Sequence, residues 1–68
     1  MTGRKLLRSL AQRGCVEVRR KESHARIRCG RCQTTVPVHA GADLPIGTLL
    51  AIERDSAECL GARWTRDI

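Results

Sequence analysis

Apolar residues recur with a helical period at the start of the chain. Leu6, Leu7, Leu10 and Ala11 fall on one stripe, while Arg4, Lys5, Arg8 and Arg13 take other faces. That is the pattern of an amphipathic helix. Thr2 suits the N-cap, and Gly14 suits the left-handed position after the last turn. The spacing predicts a helix over 3–13. The period then becomes two. Over 15–20, Val16 and Val18 point one way, and Glu17 and Arg19 the other. Over 24–29, Ala25, Ile27 and Cys29 oppose His24, Arg26 and Arg28. Over 33–39, Thr34, Val36 and Val38 form the inward set. Three half-buried strands with short connections predict an antiparallel meander.

The faces imply registers. If Gly30-Arg31 is the second hairpin turn, Cys29 lies opposite Cys32, Ala25 opposite Val36, and Ile27 opposite Thr34. The apolar faces then match. His24 falls opposite Pro37, with His39 diagonal to it. For the first hairpin, a Lys21-Glu22 loop puts Arg19 opposite His24 and Glu17 opposite Arg26. Pro37 cannot donate to a ladder, so the third strand should be an edge.

Residues 40–47 read as a loop. Thr48 can cap a second helix over about 48–60, closed by Gly61. Leu49, Ile52, Cys59 and Leu60 partly define its apolar face, although Glu53 and Ser56 fall on that face too. The tail 61–68, with Trp64, should be loose. The fold class is therefore α+β: one small α-β-β-β-α domain over 1–68, with both helices covering one face of a three-stranded antiparallel sheet.

Charge divides unevenly along this order. Residues 1–39 carry ten Lys and Arg against Glu17 and Glu22, whereas residues 40–68 carry three Arg against five acids. A basic half on so short a chain attracts polyanions such as nucleic acid. There is no Phe or Tyr, and Trp64 is the single Trp. Base-stacking modes of single-strand binding are therefore disfavoured. A domain of this size buries a thin core, so a partner or a second copy should help stabilise it. No run of about 18 apolar residues and no apolar leader is present, which predicts a cytoplasmic protein with no membrane span.

His24 is the sharpest chemical candidate, because it faces the open basic side of the sheet near a hairpin end. A histidine can take the proton from a ribose 2′-OH, and flanking cations can stabilise the phosphorane that forms. The bland alternative is a solvated strand histidine. His39 is a weaker candidate for a second proton-transfer group. Arg19, Lys21, Ser23, Arg26 and Arg28 are candidate RNA contacts. Cys29-x-x-Cys32 supplies half of a zinc site without a second close pair. Both side chains point into the core in the register above, so the favoured reading is reduced, buried thiols. Zinc and a disulfide are the alternatives, the disulfide disfavoured in a chain without a secretory signal.

The run Lys21-Glu22-Ser23-His24, then Arg26-Ile27-Arg28 and Thr35-Val36-Pro37-Val38-His39, resembles the HicA family of bacterial toxin–antitoxin systems. Leu44-Pro45-Ile46-Gly47-Thr48-Leu49, with Ile52, resembles the family's Pro-Gly-Thr-Leu helix start, and the likeness covers about residues 3–55. The resemblance implies a fold like a double-stranded RNA-binding domain. It also implies an mRNA endoribonuclease toxin that needs no cofactor, halts growth when free, and has its catalytic histidine at His24. A HicB-type antitoxin that covers this histidine is the implied partner, and a homodimer or larger toxin–antitoxin assembly is a further expectation. Two departures stand out. Glu22 occupies a turn position where the family usually has Gly, at an expected cost of roughly 1 kcal/mol. Glu53 and Glu58 stand where many relatives have Leu. Two other readings remain open: a non-catalytic RNA-binding module, and a zinc-dependent interaction module built on Cys29 and Cys32.

Overall fold

The computed structural model describes residues 1–68. The order is α1 (Gly3–Gln12), β1 (Val16–Lys21), β2 (His24–Cys29), β3 (Cys32–Pro37), α2 (Ile46–Leu60) and a short 3-10 helix, η1 (Trp64–Asp67). This is the α-β-β-β-α arrangement of a small α+β protein. Helix α1 begins where its cap predicts, with the Thr2 hydroxyl accepting from the Lys5 amide at 3.1 Å. Gly14 follows it with φ 88°. Helix α2 starts earlier than the expected Thr48 cap: Pro45 is its N-cap and Ile46 its first residue. Proline's fixed φ suits the first positions of a helix, and its missing N–H is not needed there.

The sheet order is β1-β2-β3, all antiparallel, so β3 is an edge as Pro37 requires. The second hairpin has the expected register, with Cys29 opposite Cys32, Ile27 opposite Thr34, Ala25 opposite Val36 and His24 opposite Pro37. The first hairpin does not. Its turn is Glu22-Ser23, not Lys21-Glu22, so Lys21 lies opposite His24 and Arg19 opposite Arg26. Val18 has no partner, because the register shifts between Glu17 and Arg19. Val16 pairs with Arg28 and Glu17 with Ile27, which turns Val16 outward and Glu17 inward. All six residues of β1 are exposed whichever way they point, Val16 and Val18 included.

Two anchors explain this correction. Cys15 is bonded to Cys29, with Cα atoms 4.3 Å apart, so the start of β1 takes the inward phase of Cys29. The turn at Glu22-Ser23 sets the other end. One extra residue separates the two phases, and a bulge at Val18 absorbs it. The bulge also brings Glu17 and Arg20 to the same side. They form a two-pronged contact of 2.6 and 3.2 Å.

The core lies on the sheet face that carries Ala25, Ile27, Cys29, Cys32 and Val36, and Leu6, Leu10, Ile52 and Trp64 pack there. Gly3 is buried against the end of β3, where a Cβ would overlap the Pro37 carbonyl oxygen. Helix α2 is fastened to β3 by the buried Thr34 hydroxyl, which donates to Asp55 at 3.1 Å. Ser56, which looked misplaced on an apolar helix face, is fully satisfied there. It donates to the Ile52 carbonyl at 2.6 Å and accepts from Trp64 Nε1 at 2.9 Å. The tail is docked rather than loose. Trp64 is buried, Thr65 donates to Glu53, and the Arg13 guanidinium lies 5.3 Å over the Trp64 ring. Glu58 pairs with Arg31 at 2.9 Å. Both α2 acids that depart from the family pattern, Glu53 and Glu58, therefore have partners within the chain. No helix is long and apolar enough to cross a membrane.

The expectation of reduced thiols is overturned. All four cysteines are paired, Cys15 with Cys29 and Cys32 with Cys59. The sequence separations of 14 and 27 residues hid both pairings. Strand register and the placement of α2 bring these cysteines together.

Candidate functional site

The open face of the sheet carries the outward residues of all three strands. Arg19 on β1 and Arg26 on β2 are directly opposite one another. Like charges in that position repel unless an anion or a polar neighbour compensates. Arg26 is held by neutral acceptors: its Nε donates to Gln33 Oε1 at 3.1 Å and its Nη1 to Thr35 Oγ1 at 3.0 Å. Neither Arg19, Lys21 nor Arg26 enters an ion pair; the side-chain ion pairs are Glu17–Arg20 and Arg31–Glu58.

These residues line a cleft of about 260 Å³ formed by Arg19, Lys21, Glu22, His24, Arg26 and Thr35. His24 opens β2 and is exposed at the lip of the cleft. His39 approaches it edge-on, with ring centroids 6.5 Å apart and planes at 84°. The chain reaches that position because the Val38 amide donates to the Ser23 carbonyl at 2.6 Å. This bond extends the β2–β3 register one pair past Pro37, to the end of the first hairpin turn. Ser23 thus contributes its backbone to the site. Arg28 lies further along β2, exposed and opposite Val16 and Gln33, outside the cleft. Cys29 and Cys32 are buried on the other face of the sheet, away from the site. With the four cysteines paired, no group of three or more His, Cys, Asp or Glu side chains is placed to hold an ion.

Glu22 has φ 55°. It is the first central residue of a two-residue hairpin, a position that favours Gly because φ is positive there. Its carboxylate is the single acid lining the cleft. Away from the cleft, Glu17 is held below its ordinary carboxylate range, first by the hydrogen bond from Arg20. Arg20 is correspondingly raised.

Thr35 and Gln33 are members of the site that residue-type reasoning passed over. Their outward positions, alternating with Thr34 and Val36, were the available signal. The bond from Val38 to Ser23 follows from the register that sets His24 opposite Pro37.

No curated protein and no solved structure matches the chain. A family model does match, that of the HicA toxin of bacterial toxin–antitoxin systems, over residues 3–57. That span runs from the first residue of α1, through every residue of the cleft and His39, into the last turns of α2. With most of the chain and the whole candidate site inside one match, the chain belongs to the HicA toxin family, the toxin side of a toxin–antitoxin pair whose partner is an antitoxin.

Proposed function

We propose that this toxin is an endoribonuclease that cleaves mRNA, with His24 as general base. The observation that supports the reading is a solvent-facing imidazole at the lip of a cleft whose cations form no ion pair within the chain. In the proposed reaction, His24 takes the proton of a ribose 2′-OH. The 2′ oxygen then attacks the adjacent phosphorus, and the bond from phosphorus to the 5′ oxygen breaks. His39 returns a proton to that leaving oxygen. The products are a 2′,3′-cyclic phosphate and a 5′-hydroxyl. Arg19, Lys21 and Arg26 would hold the phosphate and stabilise the charge that grows on its oxygens. Arg28 would extend the backbone contact along the strand. The lack of stacking aromatics fits recognition of backbone and shape, the mode used by double-stranded RNA-binding folds. A HicB-type antitoxin would silence the toxin by covering His24 and the cleft.

Incubating RNA with the wild-type chain and with His24→Ala, both in EDTA, tests the reading. Cleavage that requires His24 and leaves cyclic phosphate ends is expected. Equal, undetectable cleavage by both proteins would remove the enzyme and leave a non-catalytic RNA-binding module. That second reading is favoured by one feature, the Glu22 carboxylate in the phosphate cleft.

A further inference from the structure

Three cysteines stand in one row across the inner face of the sheet. Cys15 is bonded to Cys29, which lies opposite Cys32 in the β2–β3 ladder. The fourth, Cys59, reaches Cys32 from the last turn of α2, with Cα atoms 6.2 Å apart. The two disulfides are therefore neighbours at one end of the molecule, joined through a single hairpin. That hairpin is Cys29-Gly30-Arg31-Cys32, two thiols separated by two residues and turned to the same face. This is the knuckle that tetrahedral zinc sites use. Gly30 takes φ 60°, and a Cβ on it would sit 3.9 Å from Cys59 Sγ. The knuckle thus lies directly against the cysteine of α2.

We propose that the reduced chain binds one Zn²⁺ through Cys15, Cys29, Cys32 and Cys59, and that the two disulfides are the oxidised, metal-free form of this site. Four thiolates complete a tetrahedral shell without a His or acid. Zn–S bonds of about 2.3 Å place the sulfurs roughly 3.8 Å apart. Cysteines with Cα separations of 4.3 and 6.2 Å can spread to that distance by side-chain rotation. Two contacts besides the disulfides bring parts of the site together. Arg31, inside the knuckle, pairs with Glu58, next to Cys59, at 2.9 Å. Cys29 and Cys32 stay opposite one another through the β ladder. Cys59 is exposed, which leaves a route for the metal from solvent.

The chemistry balances. Two equivalents of a dithiol reductant open the two disulfides, giving four cysteine thiols and two oxidised reductant molecules. Zn²⁺ then displaces four protons, and the tetrathiolate carries a net charge of −2. In reverse, two equivalents of a peroxide take four electrons and four protons. Two disulfides re-form, four waters leave when the oxidant is hydrogen peroxide, and Zn²⁺ is released. The site lies on the sheet face opposite His24, so the inference is independent of the nuclease reading.

The test is metal content in the full chain after anaerobic reduction with a dithiol, addition of Zn²⁺ and gel filtration. One zinc per chain is expected, together with the strong visible and thiolate charge-transfer bands of a tetrahedral site when Co²⁺ replaces it. Cys59→Ser, at an exposed position, should keep the fold by circular dichroism and weaken zinc binding at least about tenfold. His24→Ala should bind zinc as the wild type does. A reduced wild-type chain, folded or not, that retains less than about half an equivalent of zinc overturns the proposal. A folded Cys59→Ser chain with wild-type affinity also overturns it. Should Cys59→Ser fail to fold, the cobalt spectrum of the wild type decides, an octahedral spectrum counting against the site.

Discussion

The Val38 amide donates to the Ser23 carbonyl at 2.6 Å, one rung past Pro37 in the β2–β3 ladder, and His39 lies beside His24 just beyond it. The bond continues the β2–β3 ladder by one more pair, in the same register as Ala25–Val36 and His24–Pro37. If His24 and His39 act as base and acid, one must be neutral while the other is protonated. A bell-shaped pH–rate profile is then expected. His39→Ala should lower the cleavage rate about 10²- to 10⁴-fold, the usual contribution of a general acid. It should also abolish one limb of the profile and leave RNA binding nearly unchanged. An unaltered profile in His39→Ala would restrict proton transfer to His24.

Glu22 combines a positive φ with a carboxylate in the phosphate cleft. Glu22→Gly removes both. A Gly in this conformation should be more stable by about 1 kcal/mol, raising Tm by about 4–8 °C in a chain of this size. RNA affinity should rise as well, most visibly at low salt. Differential scanning calorimetry and a salt-dependent binding series measure the two effects separately. A variant that melts with the wild type would show that the turn bears no strain.

Gly3 is the first residue of α1 and touches the backbone of Pro37. Gly3→Ala puts a methyl into the Pro37 carbonyl, and rigid backbone lies on both sides of the clash. The expected loss is about 1–3 kcal/mol. Because Pro37 leads directly to Val38 and His39, RNA cleavage should fall along with Tm. Thermal melting monitored through the buried Trp64 follows the first effect, and a variant as stable as the wild type would refute the close approach.

The Glu17–Arg20 pair makes a prediction about sign. The hydrogen bond from Arg20 lowers the Glu17 pKa, opposed by modest desolvation and helped by charge. A carboxyl whose folded pKa is lowered adds stability above its unfolded value, and that contribution is lost as pH falls through the folded one. Arg20→Gln should move the Glu17 titration upward toward the ordinary Glu range, read by NMR of the side-chain carboxyl carbon. The pair is solvent-exposed, so salt should weaken its effect.

Reduction tests the crosslinks. With zinc withheld by a chelator, opening the bonds that span 14 and 27 residues should cost about 3 kcal/mol each in the chain-entropy model. For a domain with so small a core, the sum approaches the whole stability. Urea melts of oxidised and reduced protein compare the two states. Equal midpoints would mean that the helices and sheet hold together without the sulfurs.

Much of the molecule was legible along the chain because its signals are local. Helix α1 announced itself through Leu6, Leu10, the Thr2 cap and Gly14. The β2–β3 hairpin had matching faces on both strands, and one register satisfied them. His24, Arg19, Lys21 and Arg26 were recognisable as a basic group around an imidazole, and they do share one cleft. Sequence similarity to the HicA family was carried by the short runs around His24, His39 and Gly47.

What the order of residues could not reveal depends on distant contacts. Val16 and Val18 alternate as a buried strand should, yet both are exposed. The phase of β1 is set at one end by Cys29 and at the other by a turn, and a bulge reconciles the two. Trp64 looked like part of a loose tail until Ser56 and Arg13 offered it partners. Periodicity fixes which residues share a face of one element, because backbone geometry repeats every 2 or 3.6 residues. It says nothing about which element will cover that face. Only the packing of α2 on β3 and the pairing of β1 with β2 decided that four scattered cysteines would meet at one end of the sheet, because those contacts join residues far apart in the chain.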